Sequence, residues 1–269
     1  MLEKIHETQS YLQGKTGFKP EIGIILGTGL GGLVNEIHMT HQLDYEDIPN
    51  FPVSTVEGHH GKLIFGNLGH KKVIAMQGRF HFYEGYSMMD IVFPVRVMKF
   101  LGIQYLFLSN ASGGVNPDFE IGDLMIITDH INLLPNPLIG KHIPEYGERF
   151  PDMSETYSKV LIQKAEQIAD RHGIRIKKGV YTATSGPTFE TPSEYQYFRS
   201  IGSDTVGMST VPETIVAHQM GLPCFAISII TDLGVPGKIE TTTHASVQEV
   251  ANHAEDKMTL IMKHMIAEL

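Results

Sequence analysis

The fold is decided by the stretch IGIILGTGLGG, which occupies residues 22–32. Its first five residues are apolar apart from one glycine and predict a buried strand. Four of the next six residues are glycines, and a glycine lets the backbone approach a ligand closely. Backbone amides exposed before a helix attract anions. The stretch therefore predicts an anion-binding turn at the end of a central strand, and phosphate is the first candidate.

The spacing of Gly27, Gly29 and Gly32 also satisfies the pattern G-x-G-x-x-G of dinucleotide-binding sites. Such a site requires a second buried strand ending in an acidic residue about 20 positions further on, which holds the ribose hydroxyls. The corresponding region, residues 40–49, is polar and bounded by proline, which does not fit a buried strand. This region therefore argues against a nicotinamide cofactor, whereas anion binding by the glycine turn is retained.

Strands and helices alternate along the rest of the chain. Apolar β-like runs occupy residues 63–68, 71–76, 105–108, 124–128, 180–184, 205–208 and 224–230, and the first two form a hairpin. Helical spacing marks residues 2–12, 91–101, 154–172, 191–201, a segment after Pro212 and residues 246–269, with Ser154 and Thr191 as N-caps. Residues 129–153 predict a long surface loop. The alternation predicts an α/β domain with a largely parallel sheet.

Polar residues recur where the predicted strands end. They are Thr28, Arg79, His81, Asn110, Ser112, Ser209, Thr231 and Asp232. Ligands of α/β proteins gather at the carboxyl ends of parallel strands. We therefore expect the functional site at this edge of the sheet.

The overall composition excludes several classes of protein. With 42% hydrophobic and 19% charged residues, the chain of 269 residues has the make-up of a globular protein. The net charge of −9 and the scattered Lys and Arg residues argue against a nucleic-acid partner. The N-terminus lacks the apolar core of an export signal, and no run approaches the roughly 20 apolar residues that span a bilayer. We expect a cytoplasmic protein without a membrane partner, and a buried thiol at the lone cysteine, Cys224.

Metal chemistry and covalent hydrolysis find little support in the motifs. The chain has 14 histidines, among them His59, His60, His81 and His244, but none has the spacing of a metal-binding helix with an acidic partner. We assign no metal. No serine flanked by glycines stands at a predicted strand-to-helix turn, which argues against a hydrolase triad.

The remaining residues support an anion pocket. Thr28, Arg79, His81 and Ser209, together with backbone amides, are donors that suit a tetrahedral oxyanion, and the carboxylate of Glu190 stands in a loop beside them. Each residue alone also has a structural explanation. Arg79 could form a surface ion pair, Thr28 could serve a turn, and Ser209 could cap a helix. Glu190 could be a charge in the first turn of a helix.

Together, five stretches of the sequence resemble one known family, the trimeric purine nucleoside phosphorylases of the 6-oxopurine type. They are residues 27–32, 77–86, 110–114, 186–191 and 206–212, and the most specific are GRFHFYEGY at 78–86 and VGMSTVP at 206–212. The resemblance extends over nearly the entire chain. It implies a single α/β domain over residues 1–269, with a mixed, partly barrel-like central sheet flanked by helices. It also implies a homotrimer that reversibly converts purine nucleosides and phosphate to free base and ribose 1-phosphate, with no metal or organic cofactor.

The resemblance further implies roles for individual residues. Those expected to bind phosphate are Thr28, His59, Arg79, His81, Ala111 through its main chain, and Ser209. Those expected to contact ribose are Tyr83, Met208 and His244. Those expected around the base are Phe189, Glu190, Val206, Thr231 and Asp232, and the catalytic residues are His81, Glu190 and Asp232. Phe150 would reach the site of a neighbouring subunit, and Glu84 would hold the histidine of the phosphate site.

Asp232 departs from the family pattern, because the 6-oxopurine enzymes carry at this place an asparagine whose amide serves N7 and O6 of the base. An ionised aspartate sets an acceptor against O6. It can instead accept from the 6-amino group of adenine, or donate to N7 when protonated. We therefore predict phosphorolysis of inosine and guanosine, with adenosine accepted more readily than in the asparagine enzymes.

Three alternatives stay open. The related methylthioadenosine phosphorylases carry aspartate at this place, but they lack counterparts of Glu190 and His244. A non-catalytic nucleoside-binding protein would not require a phosphate pocket with Arg79, His81 and Ser209. A dinucleotide-binding oxidoreductase would require the missing distal acid.

Overall fold

A computed structural model describes residues 1–27, 30–53 and 61–269, and its nine strands form one sheet. The strands are β1 (Ile22–Leu26), β2 (His38–Asp44), β3 (Lys62–Leu68), β4 (Lys71–Gln77), β5 (Tyr105–Gly114), β6 (Leu124–Asn132), β7 (Ile176–Ala183), β8 (Thr205–Gly207) and β9 (Cys224–Leu233). Their order in the sheet is β2-β3-β4-β1-β5-β8-β7-β6-β9, and β9 pairs again with β5. This second pairing closes β5, β8, β7, β6 and β9 into a barrel. The other four strands extend from β5 as an open arm.

Parallel and antiparallel pairs are mixed in this sheet. β1 runs parallel to β4 and β5, β5 is parallel to β9, and β7 is parallel to β6 and β8. The pairs β2–β3, β3–β4, β5–β8 and β6–β9 are antiparallel. The mixed, partly barrel-like sheet implied by the family resemblance is confirmed. The alternation of elements alone had predicted a largely parallel sheet and missed the antiparallel ladders.

The opening strand β1 lies inside the open arm, between β4 and β5, and all five of its residues are buried. A continuous apolar run of this kind is typical of parallel strands covered on both faces. Gly23 permits close packing, because a Cβ at this position would lie 2.7 Å from Cδ1 of Ile103. The predicted strand at residues 22–26 is therefore a core strand.

The helices of the described chain flank this sheet. They are α1 (Leu2–Thr16), α2 (Met88–Ile91), α3 (Phe93–Leu101), α4 (Lys159–Arg171), α5 (Pro192–Ser200), α6 (Val211–Gln219) and α7 (His244–Ala267). α1 packs against α3, and α7 packs against β9 and α4. α5 begins as predicted, because Thr191 and Glu194 each accept a hydrogen bond from the other's backbone N–H. Within the described ranges, no helix has the length and apolar character needed to cross a membrane.

The barrel strands are longer than the sequence predicts. β5 continues to Gly114 and β9 to Leu233, although their later residues include several polar side chains. The amide of Asn110 donates to the Thr210 hydroxyl at 2.8 Å, and the hydroxyls of Ser112 and Ser228 lie 2.6 Å apart. Because these groups bond to one another in the interior, the strands do not end where their polar residues begin. The prediction that the first of these strands ends at residues 109–110 is therefore wrong.

One other local prediction is wrong, and one strand was missed. α4 begins at Lys159, with the Ser158 hydroxyl accepting from the N–H of Leu161, and not at Ser154. Ser154 instead donates its N–H and its hydroxyl to Asp152 in a turn. β2 was not predicted, because its residues are exposed at the edge of the sheet and have no apolar alternation.

Ile229 tests the packing of the closed barrel, because it pairs with Ala111 of β5 and Leu124 of β6 and is fully buried. We expect Ile229→Ala to lower the free energy of unfolding by about 2–5 kcal/mol, since it removes buried methyl and methylene groups and leaves a cavity. The matched variant Ile121→Ala, at a side chain that is 51% exposed, should change it by less than about 1 kcal/mol. Urea unfolding followed by circular dichroism measures both. Equal effects would contradict the barrel packing.

Candidate active site

One cavity of about 470 Å³ is formed by the later residues of β5, β8 and β9 and by segments that follow β4 and β7. Its lining residues are Gly27, Arg79, His81, Tyr83, Glu84, Asn110, Ala111, Ser112, Gly113, Pro187, Phe189, Glu190, Val206, Gly207, Met208, Ser209, Thr231, Asp232, His244 and Val247. A cavity of this size holds a small ligand. Its wall carries two groups of side chains, a basic cluster around Arg79 and a carboxyl cluster formed by Glu190 and Asp232.

Arg79 follows β4 and is held inside the protein by three groups. Its Nε donates to the Glu213 carboxylate at 3.1 Å, and one Nη donates to the Ser109 carbonyl at 2.7 Å and to Ser209 Oγ at 3.4 Å. Arg79 and Glu213 are both buried, with side-chain exposures of 2% and 3%. A buried charge requires a partner, and Glu213 supplies it. Arg79 therefore forms an ion pair, but a buried one that fixes its guanidinium in the cavity wall.

A strained turn places Ser209 beside Arg79. Thr210 has a φ of 70°, in the left-handed region that residues other than glycine rarely adopt. Across Thr210, the N–H of Val211 donates to the Ser209 carbonyl at 2.7 Å, which makes a tight γ-turn. The hydrogen bond from Asn110 to the Thr210 hydroxyl supports this conformation. Strained residues of this kind cluster at functional sites, where the surrounding structure holds them in place.

His81 is buried and is oriented by Glu84. Its Nδ1 lies 2.9 Å from Oε1 of Glu84, which also accepts from the His81 backbone N–H at 2.8 Å. Because a carboxylate only accepts, Nδ1 carries the proton. Burial lowers the pKa of His81, and the charge of Arg79 lowers it further, although Glu84 acts in the opposite direction. The ring stacks on Tyr83 with the two centroids 4.8 Å apart.

The carboxyl cluster lies at the end of β9 and in the loop before α5. Asp232 accepts from the Thr231 hydroxyl at 3.0 Å and from the Tyr195 hydroxyl at 3.3 Å. Gly113 makes room for it, because a Cβ there would lie 2.8 Å from Oδ2 of Asp232. The Tyr195 hydroxyl also lowers the pKa of Glu190. One tyrosine therefore acts on both carboxyl groups.

Burial raises the pKa of both carboxyl groups. For Asp232 the hydrogen bonds from Thr231 and Tyr195 oppose this rise. For Glu190, burial raises the pKa to about 7, and the charges of Asp232 and Glu194 add to the effect. Because the charge of Asp232 acts on Glu190, the last proton to leave belongs to the pair and not to one residue. Near neutral pH the cluster can thus offer a ligand both a donor and an acceptor.

The rest of the cavity wall combines apolar surface with the side chains of Tyr83 and His244. Phe189 is 40% exposed, and Met208 and Val247 add apolar surface. Burial raises the pKa of Tyr83 to about 12, so its hydroxyl stays neutral and can donate. His244 is the first residue of α7. Aromatic and apolar surface beside a few polar groups suits a small heterocyclic ligand.

The first glycine of the opening stretch lies at the cavity, and the described chain from Leu30 to Ile37 contains no α-helix. Gly27 lines the cavity, and its N–H donates to Ser109 Oγ at 3.4 Å. The chain then continues as a 3₁₀-helix, Gly32–Glu36, and the N–H of Gly32 donates to the Glu255 carboxylate on α7. A dinucleotide site places its pyrophosphate at the N-terminus of an α-helix after the glycines. The geometry therefore differs from that of a dinucleotide site.

Most of the predicted site residues meet in this cavity. They are Arg79, His81, Tyr83, Ala111, Phe189, Glu190, Val206, Met208, Ser209, Thr231, Asp232 and His244. Thr28 and His59 lie outside the described residues. Phe150 lines a separate surface groove with Leu138 and Met153 and is 86% exposed. In the described part of the chain, no group of three or more His, Cys, Asp or Glu side chains is placed to hold a metal ion.

Two residues behind the cavity wall were not predicted from the sequence. Glu213 pairs with Arg79, and Tyr195 donates to Asp232. An acid in the first turn of a helix is usually explained by the helix dipole, so Glu213 gave no separate signal. Tyr195 and Phe198 lie three positions apart on the buried side of α5, which is the pattern of an ordinary core face.

Comparison with known proteins places the whole chain in one family. The model of the phosphorylase superfamily matches residues 21–267. The chain is 50% identical over 269 residues to purine nucleoside phosphorylase 1 of Bacillus subtilis, with 100% of this chain and 99% of the relative covered. It is 42% identical to the purine nucleoside phosphorylase of Bos taurus, with 99% of this chain and 95% of the relative covered.

A solved structure agrees with these relatives. Isoform 2 of purine nucleoside phosphorylase from Schistosoma mansoni, in complex with cytosine and ribose-1-phosphate, aligns with a TM-score of 0.95 at 39% identity. The alignment covers 99% of this chain and 96% of that one. Sequence and fold thus agree over nearly the full length, and the chain belongs to the purine nucleoside phosphorylases, enzymes of the phosphorylase superfamily that cleave purine nucleosides with phosphate.

Proposed function

We propose that the enzyme acts on inosine, guanosine and their 2'-deoxy forms, and that it also accepts adenosine. The observation that carries this proposal is the pair Glu190 and Asp232, which lines the same cavity as Arg79. A pair of carboxyl groups that shares one proton offers one donor and one acceptor. The proton can be on Glu190 or on Asp232, and each position matches one class of purine base.

Phosphate, the co-substrate, would bind at the basic cluster. The guanidinium of Arg79 and the hydroxyl of Ser209 lie 3.4 Å apart and both line the cavity, as do Ala111 and His81. Charged N–H groups, a hydroxyl and a backbone amide are the donors that tetrahedral oxyanions prefer. Thr28 and His59, which the family resemblance adds to this set, would complete it.

The reaction would begin with attack of a phosphate oxygen on C1' of the ribose. The bond from C1' to N9 breaks, its electron pair passes to the purine, and the products are ribose 1-phosphate and free base. The sugar passes through an oxocarbenium-like state, which the bound anion stabilises. Tyr83, Met208 and His244 would position the ribose, and Phe189 would stack on the base. The scheme uses no metal or organic cofactor.

The carboxyl cluster would recognise the base and relieve the negative charge that develops on it. With a 6-oxopurine, ionised Glu190 accepts from N1–H and protonated Asp232 donates to N7. With a 6-aminopurine, protonated Glu190 donates to N1 and ionised Asp232 accepts from the amino group. Both arrangements contain one proton. A relative from Schistosoma mansoni, 39% identical, has been solved in complex with adenosine, which supports inclusion of this substrate.

The same proposal includes a homotrimer of single-domain subunits, in which Phe150 contributes to a neighbour's site. Phe150 is 86% exposed and Ile139 is 75% exposed, and both line one surface groove. Large apolar side chains that are exposed together mark interaction surfaces.

Methylthioadenosine is the second candidate substrate, because Asp232 suits a 6-aminopurine. His244 opposes it. This histidine lines the cavity and offers a hydrogen bond to a free 5'-hydroxyl, where a methylthio group would prefer an apolar neighbour.

A direct assay tests the activity and its substrate range. We expect release of free base from inosine, guanosine and adenosine only when phosphate is present, because phosphate is the nucleophile. Steady-state rates on these three nucleosides and on methylthioadenosine, with and without phosphate, provide the measurement. A large preference for methylthioadenosine would favour the second candidate. Base release that is independent of phosphate, or no release from any nucleoside, would exclude the proposal.

Asp232→Asn tests the origin of the base range. We expect the ratio of kcat/KM for adenosine to that for inosine to fall about tenfold. The amide of asparagine can donate to N7 and O6, but it is no longer a charged acceptor for the 6-amino group of adenine. A hydrogen bond to a charged group contributes about this much binding energy. Asp170→Asn, at an exposed position on α4, is the matched control and should leave the ratio unchanged. An unchanged ratio in Asp232→Asn would remove Asp232 from the specificity argument.

The pH dependence tests the shared proton. Both classes of base require one proton on the pair, and the pKa of Glu190 is about 7, so kcat/KM should fall above this pH for inosine and adenosine alike. In Asp232→Asn the alkaline decline for inosine should disappear, because ionised Glu190 and a neutral amide then suffice. Phosphate and inosine titrate identically in the two assays, so the comparison isolates the enzyme. The same decline in both enzymes would rule out the shared proton.

A further inference from the structure

Tyr195 lies behind the carboxyl cluster. Its side chain is buried, with an exposure of 3%, and the residue does not line the cavity. The hydroxyl donates to Oδ2 of Asp232 at 3.3 Å, and it also influences the pKa of Glu190. Tyr195 can therefore act on a bound base only through these two carboxyl groups.

Packing holds the tyrosine ring in one position. The ring belongs to a small apolar cluster with Val115, Phe198 and Val206. The ring also packs against Gly234. A larger residue would not fit there, because a Cβ at position 234 would lie 2.3 Å from the ring. The position of the hydroxyl is thus set by α5 and by the segment after β9, independently of any ligand.

A tyrosine hydroxyl has only one proton to donate, and burial raises the pKa of Tyr195 well above its ordinary value, so it remains a donor. A carboxyl group that accepts this bond is stabilised in its ionised form. In the structure the donated bond goes to Asp232, whose other oxygen accepts from the Thr231 hydroxyl at 3.0 Å. Both oxygens of Asp232 are therefore used as acceptors, which disfavours a proton on this group.

We propose that Tyr195 is a positioning residue that widens the base range towards 6-aminopurines, by holding Asp232 as an acceptor and leaving the shared proton on Glu190. The inference rests on the proposed function, since it concerns how the same cavity selects its base. Without the tyrosine hydroxyl the proton moves towards Asp232, which is the arrangement that 6-oxopurines require.

The charged surroundings of the pair point in the same direction. Besides the two carboxyl groups themselves, the charge that acts on the pair is that of Glu194, in the first turn of α5, and it raises the pKa of Glu190 together with burial and Asp232. Hydrogen bonds from Thr231 and Tyr195 lower the pKa of Asp232 against the effect of burial. Like charges beside Glu190 and donors beside Asp232 both place the proton on Glu190.

Tyr195→Phe is the decisive variant, because it keeps the ring in its packing and removes only the hydroxyl. We expect the ratio of kcat/KM for adenosine to that for inosine to fall about tenfold, the size of a charge-assisted hydrogen bond. The alkaline decline of both substrates should move to higher pH, since ionised Asp232 loses a stabilising donor. In the Asp232→Asn background the same substitution should cause no further change in the ratio. Tyr197→Phe, at a side chain on the same helix that is 53% exposed, is the control.

Several outcomes would overturn the inference. A purely structural tyrosine would lower the rates on both nucleosides equally and leave the ratio and the alkaline decline in place. If Tyr195→Phe does not fold, Gly234→Ala displaces the ring by steric contact and should lower the same ratio. An unchanged ratio in that variant also counts against Tyr195.

Calorimetric binding of free adenine and hypoxanthine separates this inference from the proposed function. The variant should lose preference for adenine even if the wild-type protein releases no base from nucleosides. If the wild-type protein shows no turnover but Tyr195→Phe shifts the binding preference, the proposed activity is refuted and the role of Tyr195 is kept. If the wild-type protein turns over nucleosides but Tyr195→Phe leaves the binding preference unchanged, the role of Tyr195 is refuted and the activity is kept.

Discussion

The double pairing of β5 is the constraint on which the site depends. Its first residues pair with β1 of the open arm, its last residues pair with β8, and its whole length pairs with β9. One strand therefore belongs both to the open arm and to the barrel, and its polar second half is carried into the interior. Asn110 and Ser112 form hydrogen bonds there with the N-cap residue of α6 and with β9. Among the described residues, no group forms a hydrogen bond with the buried Oδ1 of Asn110 at the cavity, and a bound ligand or water could offset this cost.

The two clusters in the cavity wall have complementary electrostatics. The guanidinium of Arg79 is neutralised on one side by buried Glu213, yet it remains in the wall with the Ser209 hydroxyl. The negative charges of ionised Glu190 and Asp232 would repel each other, so the pair keeps one proton near neutral pH. A site with fixed cationic donors for one reactant and a protonated carboxyl pair for the other suits a reaction in which an anion attacks and a leaving group gains negative charge.

This arrangement works against the stability of the fold. Burial raises the pKa of Glu190 from 4.5 to about 7, so in this pH range the unfolded chain releases the proton before the folded one does. The contribution of Glu190 to stability is therefore fully present below its unfolded pKa and is lost as pH rises through about 7. The strained backbone of Thr210, with its φ of 70°, adds a second cost beside the basic cluster. Both costs are at residues that shape the cavity, as expected where function and stability compete.

Local sequence determined a large part of this protein. The apolar run of β1 and the Thr191 cap of α5 could be predicted, because strand burial and capping depend on neighbours in the chain. Polar residues at the strand ends indicated part of the cavity, and the family resemblance added Tyr83, Ala111, Phe189, Val206, Met208 and His244. Only the tertiary structure decided where the barrel strands end, which acid neutralises Arg79 and which hydroxyl donates to Asp232. Arg79 and Glu213 are 134 positions apart, and Tyr195 and Asp232 are 37 apart. Closure of β5 against β9 brings the strand ends together, and a pattern read along the chain contains no record of such contacts.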